Sequence, residues 1–203
     1  MIKQRKIELL APAKNLECGI EAVNHGADAV YIGAPKFGAR AAAVNSLEDI
    51  AALVEHAHLY NARIYVTVNT ILKEEELKET ERMIWELYRI GVDALIVQDM
   101  GITRLNLPPI PCMAVHRWIT VRREKVRFLA DAGSVRWCWH ANFLCRRYAV
   151  SMRRVPTCRS KSLYTGLFAS VYSGQCYVSQ ACFGRSANRG GMCAISAVYP
   201  SVW

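Results

Sequence analysis

Apolar positions along the chain follow two alternating patterns. The first is a set of short, β-branched runs: Ile7-Glu8-Leu9-Leu10-Ala11-Pro12-Ala13, Ala29-Val30-Tyr31-Ile32-Gly33, Ile64-Tyr65-Val66-Thr67-Val68-Asn69 and Ala94-Leu95-Ile96-Val97. Runs of this length and composition predict strands buried on both faces. The second is helical spacing between the runs. Residues 15–25 place Leu16, Ile20 and Val23 on one face. Asn45-Ser46 caps the next helix, which has Glu48 and Asp49 in its first turn and runs to about Tyr60. A third helix, from about Lys73 to Ile90, turns Leu77, Ile84, Leu87 and Tyr88 inward and a charged face outward.

The junctions between helices and strands repeat. Asn24-His25-Gly26-Ala27-Asp28-Ala29 is matched by Arg89-Ile90-Gly91-Val92-Asp93-Ala94, and Tyr60-Asn61-Ala62-Arg63 plays the same part with Asn for Gly. Gly and Asn both suit the left-handed residue just past a helix C-terminus. The markers Gly26, Asn61 and Gly91 lie 35 and 30 residues apart, one strand and one helix each time. This periodicity predicts an α/β fold with a parallel sheet, of (β/α) TIM-barrel-like type. A full barrel takes about eight units and roughly 250 residues. Four good units and the start of a fifth predict an incomplete, open barrel.

Composition divides the chain. Its net charge of +9 conceals two halves: residues 1–110 hold 12 Lys+Arg against 15 Asp+Glu, and residues 111–203 hold 14 against 2. Seven of the eight cysteines and four of the five tryptophans follow residue 110. The chain is therefore divided at Pro108-Pro109-Ile110-Pro111 into 1–110, a barrel portion, and 111–203, the rest of the barrel with a cysteine loop. After Pro111, residues 124–132 read as a helix ending at Gly133, residues 134–169 show no period, and residues 173–191 read as a loop. No apolar run reaches transmembrane length and the N-terminus lacks a signal-peptide core, so a cytoplasmic protein, with no membrane partner, is expected. Its cysteines are then thiols or ligands rather than disulfides. The oligomeric state stays open.

In a barrel, reactive groups sit at the C-terminal ends of the strands. Those ends offer Asn69, Gln98 and Asp99, with Arg40 on a rim loop. Asp99, Asn69 and Arg40 are the candidate catalytic residues, suited to a polar or anionic substrate. Asp99 has a second reading, as the cap of a helix opening at Gly101. His56 and His58 fall on a helix surface away from this rim. Cys176, Cys182 and Cys193 lie in or beside the Gly/Ser loop, where thiolates could hold a metal ion or an iron–sulfur cluster. No Cys-x-x-Cys pair is present, and isolated reduced thiols explain the same residues. Neither His-Glu-x-x-His nor Gly-x-Ser-x-Gly occurs, so the zinc and serine protease patterns find no support.

Several of these phrases together resemble the collagenase-like peptidase family, peptidase family U-32. They are Glu8-Leu9-Leu10-Ala11-Pro12-Ala13, His25-Gly26-Ala27-Asp28-Ala29-Val30-Tyr31-Ile32-Gly33, Phe37-Gly38-Ala39-Arg40, Asn69-Thr70 and Asp93-Ala94-Leu95-Ile96-Val97-Gln98-Asp99. The match returns at residues 124–133, at Tyr172-Ser173-Gly174-Gln175-Cys176-Tyr177-Val178-Ser179 and at Gly184-Arg185-Ser186-Ala187-Asn188-Arg189-Gly190. The resemblance implies a barrel enzyme with one of two activities. One is proteolysis of collagen-like protein substrates, described as metal-dependent. The other is support of hydroxylation in structured RNA, ribosomal or transfer, through a cysteine-bound iron–sulfur cluster. Of the family's cluster positions, Cys176 stands in register and is also the candidate metal ligand. Cys193 is displaced by one residue.

Between these islands the resemblance vanishes. Where the family has a Leu-His-Ala-Ser-Thr strand, this chain has Cys112-Met113-Ala114-Val115-His116. Leu-His-Ala codons such as TTG-CAT-GCA, read one base late, begin TGC-ATG, which encodes Cys-Met. Loss and return at constant spacing is what compensating frameshifts leave. Residues of about 111–123, 134–171 and 191–203 are therefore expected to be out of frame, and the chain as written to be an inactive fragment of its family.

Overall fold

The computed structural model describes residues 8–38, 45–114, 134–138 and 159–161, together with the helical positions Glu124 and Phe128. Seven strands line up in chain order in one sheet: β1 Leu10–Pro12, β2 Ala29–Gly33, β3 Arg63–Val68, β4 Ala94–Val97, β5 Cys112–Ala114, β6 Ser134–Cys138 and β7 Arg159–Lys161. Every neighbouring pair is parallel. The row ends at β1 and β7, so the barrel is open among the described residues. Helices α1 Leu16–Asn24, α2 Leu47–Leu59 and α3 Leu77–Ile90 connect the first four strands.

The four strands and three helices expected before residue 111 are present, with ends shifted by a few residues; of the helix expected at 124–132 only Glu124 and Phe128 are described, and the loop expected at 173–191 lies outside the described residues. The C-terminal markers do what their residue types allow: Gly26, Asn61 and Gly91 take φ of 89°, 57° and 96°. Ser46 and Asp49 form a reciprocal cap at the start of α2, a device worth about 1 kcal/mol. Asn15 accepts the Cys18 N–H at 3.1 Å and starts α1. The α3 stripe differs in detail. A 3-10 turn at Glu74–Glu76 precedes it, and its buried face is Thr80, Met83, Ile84 and Leu87. Tyr88 is exposed, set edge-on against Trp85, because it falls one position round the helix from the Leu87 stripe.

The sheet has two apolar faces. Val30, Ile32, Ile64, Val66, Val68, Leu95 and Val97 pack with Val23, Ile50, Leu53, Val54, Ile84 and Leu87 of the helices. On the opposite face, toward the barrel interior, Ala29, Tyr65, Ala94, Ile96 and Met113 form a second cluster with Leu10 and Tyr31. At the lower end of this interior the Tyr65 hydroxyl donates to Glu8 at 3.1 Å, and Arg63 lies 3.7 Å from the same carboxylate. Beyond β5, where the sequence pattern showed no period, the structure adds β6 and β7. Among the described residues no helix is long and apolar enough to cross a membrane.

Candidate functional site at the strand ends

Alternation along each strand decides which side chains enter the interior. Tyr65 and Thr67 on β3 share a parity that continues into Asn69. Ala94 and Ile96 on β4 share one that continues into Gln98. The register pairs Thr67 with Ile96, so Asn69 and Gln98 stand side by side at the rim, both half-buried. Gln98 is anchored through its backbone N–H, which donates to the Val68 carbonyl at 3.3 Å.

Asp99 has the other parity and a different job. One carboxylate oxygen accepts the Gly101 N–H at 2.8 Å and caps the 3-10 helix Met100–Arg104. Its second oxygen accepts the Leu72 N–H at 2.9 Å, in the loop after β3. One side chain thus ties together the rim loops of two neighbouring strands.

The loop after β2 is fastened to the same rim. Asn45 donates to the Gly33 carbonyl at 3.2 Å, the Thr70 hydroxyl donates to the Phe37 carbonyl at 3.0 Å, and Lys36 pairs with Glu79 of α3. Phe37 has φ of 62°, which a bulky residue adopts only when its surroundings hold it there. The Phe37-Gly38 end of this loop leads toward Arg40, which lies outside the described residues, as do Cys176, Cys182 and Cys193.

His56 and His58 sit in the last turn of α2, at the far end from the rim. They meet Asn24 at 3.0 Å and Asp93 at 3.0 Å respectively. Two free cysteines are described. Cys18 is exposed. Cys112 is buried on β5, with its thiol pushed up in pKa by desolvation. Among the described residues no three His, Cys, Asp or Glu side chains converge as a metal site would require. The described residues therefore do not by themselves fit a resident metal or cluster.

Asn69, Gln98 and Asp99 all stand at the strand-end rim, and the register of β3 against β4 sets Gln98 beside Asn69, a neighbour relation that spacing along the chain does not give.

Comparison with known proteins gives three results. The chain is 47% identical over 189 residues to the 23S rRNA 5-hydroxycytidine C2501 synthase of Escherichia coli (strain K12), a match covering 93% of this chain and 29% of that protein. It is 34% identical over 197 residues to tRNA hydroxylation protein P1 of Bacillus subtilis (strain 168), covering 93% of this chain and 46% of that one. Among solved structures, that of the U32 peptidase Mk0906 superposes with a TM-score of 0.62 at 11% identity, over 80% of this chain and 70% of that one. This last likeness carries the barrel-like fold. The chain spans less than half the length of either curated relative. The model of peptidase family U32 matches residues 14–199, and the chain belongs to that family.

Proposed function

We propose that the chain serves hydroxylation of a base in structured RNA, ribosomal or transfer, rather than cleavage of collagen-like protein. The observation that carries this reading is the length of the match to RNA-hydroxylating relatives: 93% of the chain in both cases. Against proteolysis as the first reading stands the lack of any zinc or serine protease phrase in the sequence.

The rim fits a nucleotide. An amide presents a donor and an acceptor together, so Asn69 and Gln98 can read the edge of an unstacked base, the mode in which RNA bases are recognised. Arg40 supplies a fork of donors for a phosphate. Asp99 acts as a positioning residue through the two loops it joins. Cys176 is the ligand proposed for an iron–sulfur cluster or metal ion, which would supply the redox chemistry of the reaction; Cys193 falls in the segment expected to be out of frame.

The test is complementation. A strain lacking the gene is supplied with the gene as written and, in parallel, with a version restored to the family frame at 111–123, 134–171 and beyond 190, and nucleosides from its ribosomal and transfer RNA are measured by mass spectrometry. Return of a hydroxylated nucleoside supports the reading. Unchanged RNA, together with gelatin cleavage by the purified protein, would replace it with the peptidase reading.

A further inference from the structure

The outer ring of helices is thin beside α3. The β3–β4 connection carries the 14 residues of α3, whereas the β4–β5 connection carries only the 5-residue 3-10 turn Met100–Arg104. The flank of α3 that a full-length neighbouring helix would cover is left as a face of its own among the described residues. On it lies a cavity of about 410 Å³ whose described lining, Glu81, Arg82, Trp85, Glu86 and Arg89, comes entirely from α3.

This face is made for contact. Trp85 donates its indole N–H to the Asn106 carbonyl at 3.0 Å, which holds the ring on the helix surface. Tyr88 stands edge-on to it and is exposed. Aromatic side chains and arginine are enriched where proteins meet. Glu81, Arg82, Glu86 and Arg89 surround the two rings, and none has an ion-pair partner among the described residues. Arg82 and Glu86, one helical turn apart, have the spacing to pair with each other and do not.

The order of these residues says which partner fits. Helical spacing puts positions 81, 82, 85, 88 and 89 on one stripe. Glu81 comes four residues before Trp85 and Arg89 four after it; Arg82 comes three before and Tyr88 three after. Reversing the helix about Trp85 therefore exchanges an acid with a base, and a guanidinium with a phenol ring. An isologous dimer makes that exchange through its two-fold axis. It sets Glu81 of each copy against the partner's Arg89, and Arg82 against the partner's Tyr88 as a cation–π contact. RNA is the poorer match, because Lys78, Arg82 and Arg89 are balanced on α3 by Glu79, Glu81 and Glu86, which leaves no net charge for a phosphate backbone.

We infer that two copies of this chain dock antiparallel through α3, about a two-fold axis at Trp85, with Glu81 and Arg89 paired across the contact. The face precedes residue 111, so it lies outside the segments expected to be out of frame. It also lies on the helix side of the sheet and leaves the rim open.

Sedimentation equilibrium of the full chain over a range of concentrations tests this. The unsubstituted chain is expected to form a reversible dimer. Glu81→Arg alone and Arg89→Glu alone each set like charges opposite one another, and each is expected to weaken the dimer on the order of tenfold. Mixing these two variants, or combining both substitutions in one chain, returns opposite charges to both contacts and is expected to restore the dimer. Association through apolar surface of the open barrel would ignore the signs. A chain monomeric at every concentration, a dimer indifferent to the single substitutions, or a doubly substituted chain as weak as the singles would overturn the inference. Binding of an RNA oligonucleotide by a monomeric chain, lost in Arg89→Glu, would give the face to RNA instead.

Discussion

Asp93 accepts the backbone N–H of Ile64 at 2.8 Å, so the residue that opens β4 pins the second residue of β3. Asp28 does the same to Leu9, just ahead of β1, at 2.8 Å. The Asp-Ala phrase recurs in the sequence because each copy ties the lower end of one strand to its neighbour. The two sites differ in exposure: Ile64 is fully buried, whereas Leu9 is 59% exposed. An orphaned N–H costs about 1–3 kcal/mol where water cannot reach it. Asp93→Ala is therefore expected to lose that amount, and Asp28→Ala distinctly less, in urea unfolding. Equal losses would mean that the carboxylates act through charge and not through the N–H they hold.

Gly19 faces Leu53 where α1 crosses α2. A Cβ on Gly19 would stand 2.7 Å from both Leu53 methyl carbons, and Leu53 is completely buried. Overpacking of this kind costs about 1–3 kcal/mol, against a gain of about 1 kcal/mol from replacing a helical glycine. Gly19→Ala is expected to lower stability. In a Leu53→Ala background the clash is gone and the same substitution should be stabilising. A stabilising effect in both backgrounds would show that α1 shifts freely on α2.

The first four strands and their helices were legible because each boundary carries its own chemistry. Gly26, Asn61 and Gly91 mark left-handed stops, Ser46 and Asp49 mark a start, and the strands between are uniformly apolar. Asp28 and Asp93 were visible as a repeat, but their partners lie on other strands and cannot be read from spacing. The same holds for Asp99, whose hold on Leu72 crosses 27 residues. Tyr88 was misplaced because one position along a helix moves a side chain off the buried stripe. β6 and β7 were illegible for another reason. Arg136 interrupts the strand-favouring Val135 and Trp137 of β6, and Arg159-Ser160-Lys161 of β7 holds no apolar residue at all.

The two described thiols should differ sharply in reactivity. Cys18 is exposed on the first turn of α1, while Cys112 is buried and pushed above its ordinary value of 9.0 by desolvation. Thiolate is the reactive form. At pH 8, Cys18 should react with a disulfide reagent well before Cys112 in the chain as written. A raised folded-state pKa also has a stability consequence. The unfolded chain loses its thiol proton first, so the contribution of Cys112 falls as pH rises through 9. Peptide mapping of the labelled sites checks the first point and unfolding followed against pH checks the second; rapid labelling at Cys112 itself at pH 8 would place that thiol at the surface.

Asp99 separates a positioning role from a catalytic one. Both of its oxygens are engaged by backbone N–H groups, of Leu72 and Gly101. Removing the side chain orphans one half-buried donor and loosens the loops that carry Asn69 and Gln98. Asp99→Ala is expected to cost about 1–3 kcal/mol of stability, and to weaken RNA hydroxylation in the frame-restored protein because a misplacement of about 1 Å costs on the order of 10²-fold. Asp99→Asn keeps one acceptor oxygen. It should recover part of the stability and, in step with it, part of the activity. Thermal unfolding and nucleoside mass spectrometry on the three proteins decide the matter. Were Asp99→Asn to keep its stability and lose all hydroxylation, the carboxylate would have to meet the substrate directly, and Asp99 would be catalytic in its own right.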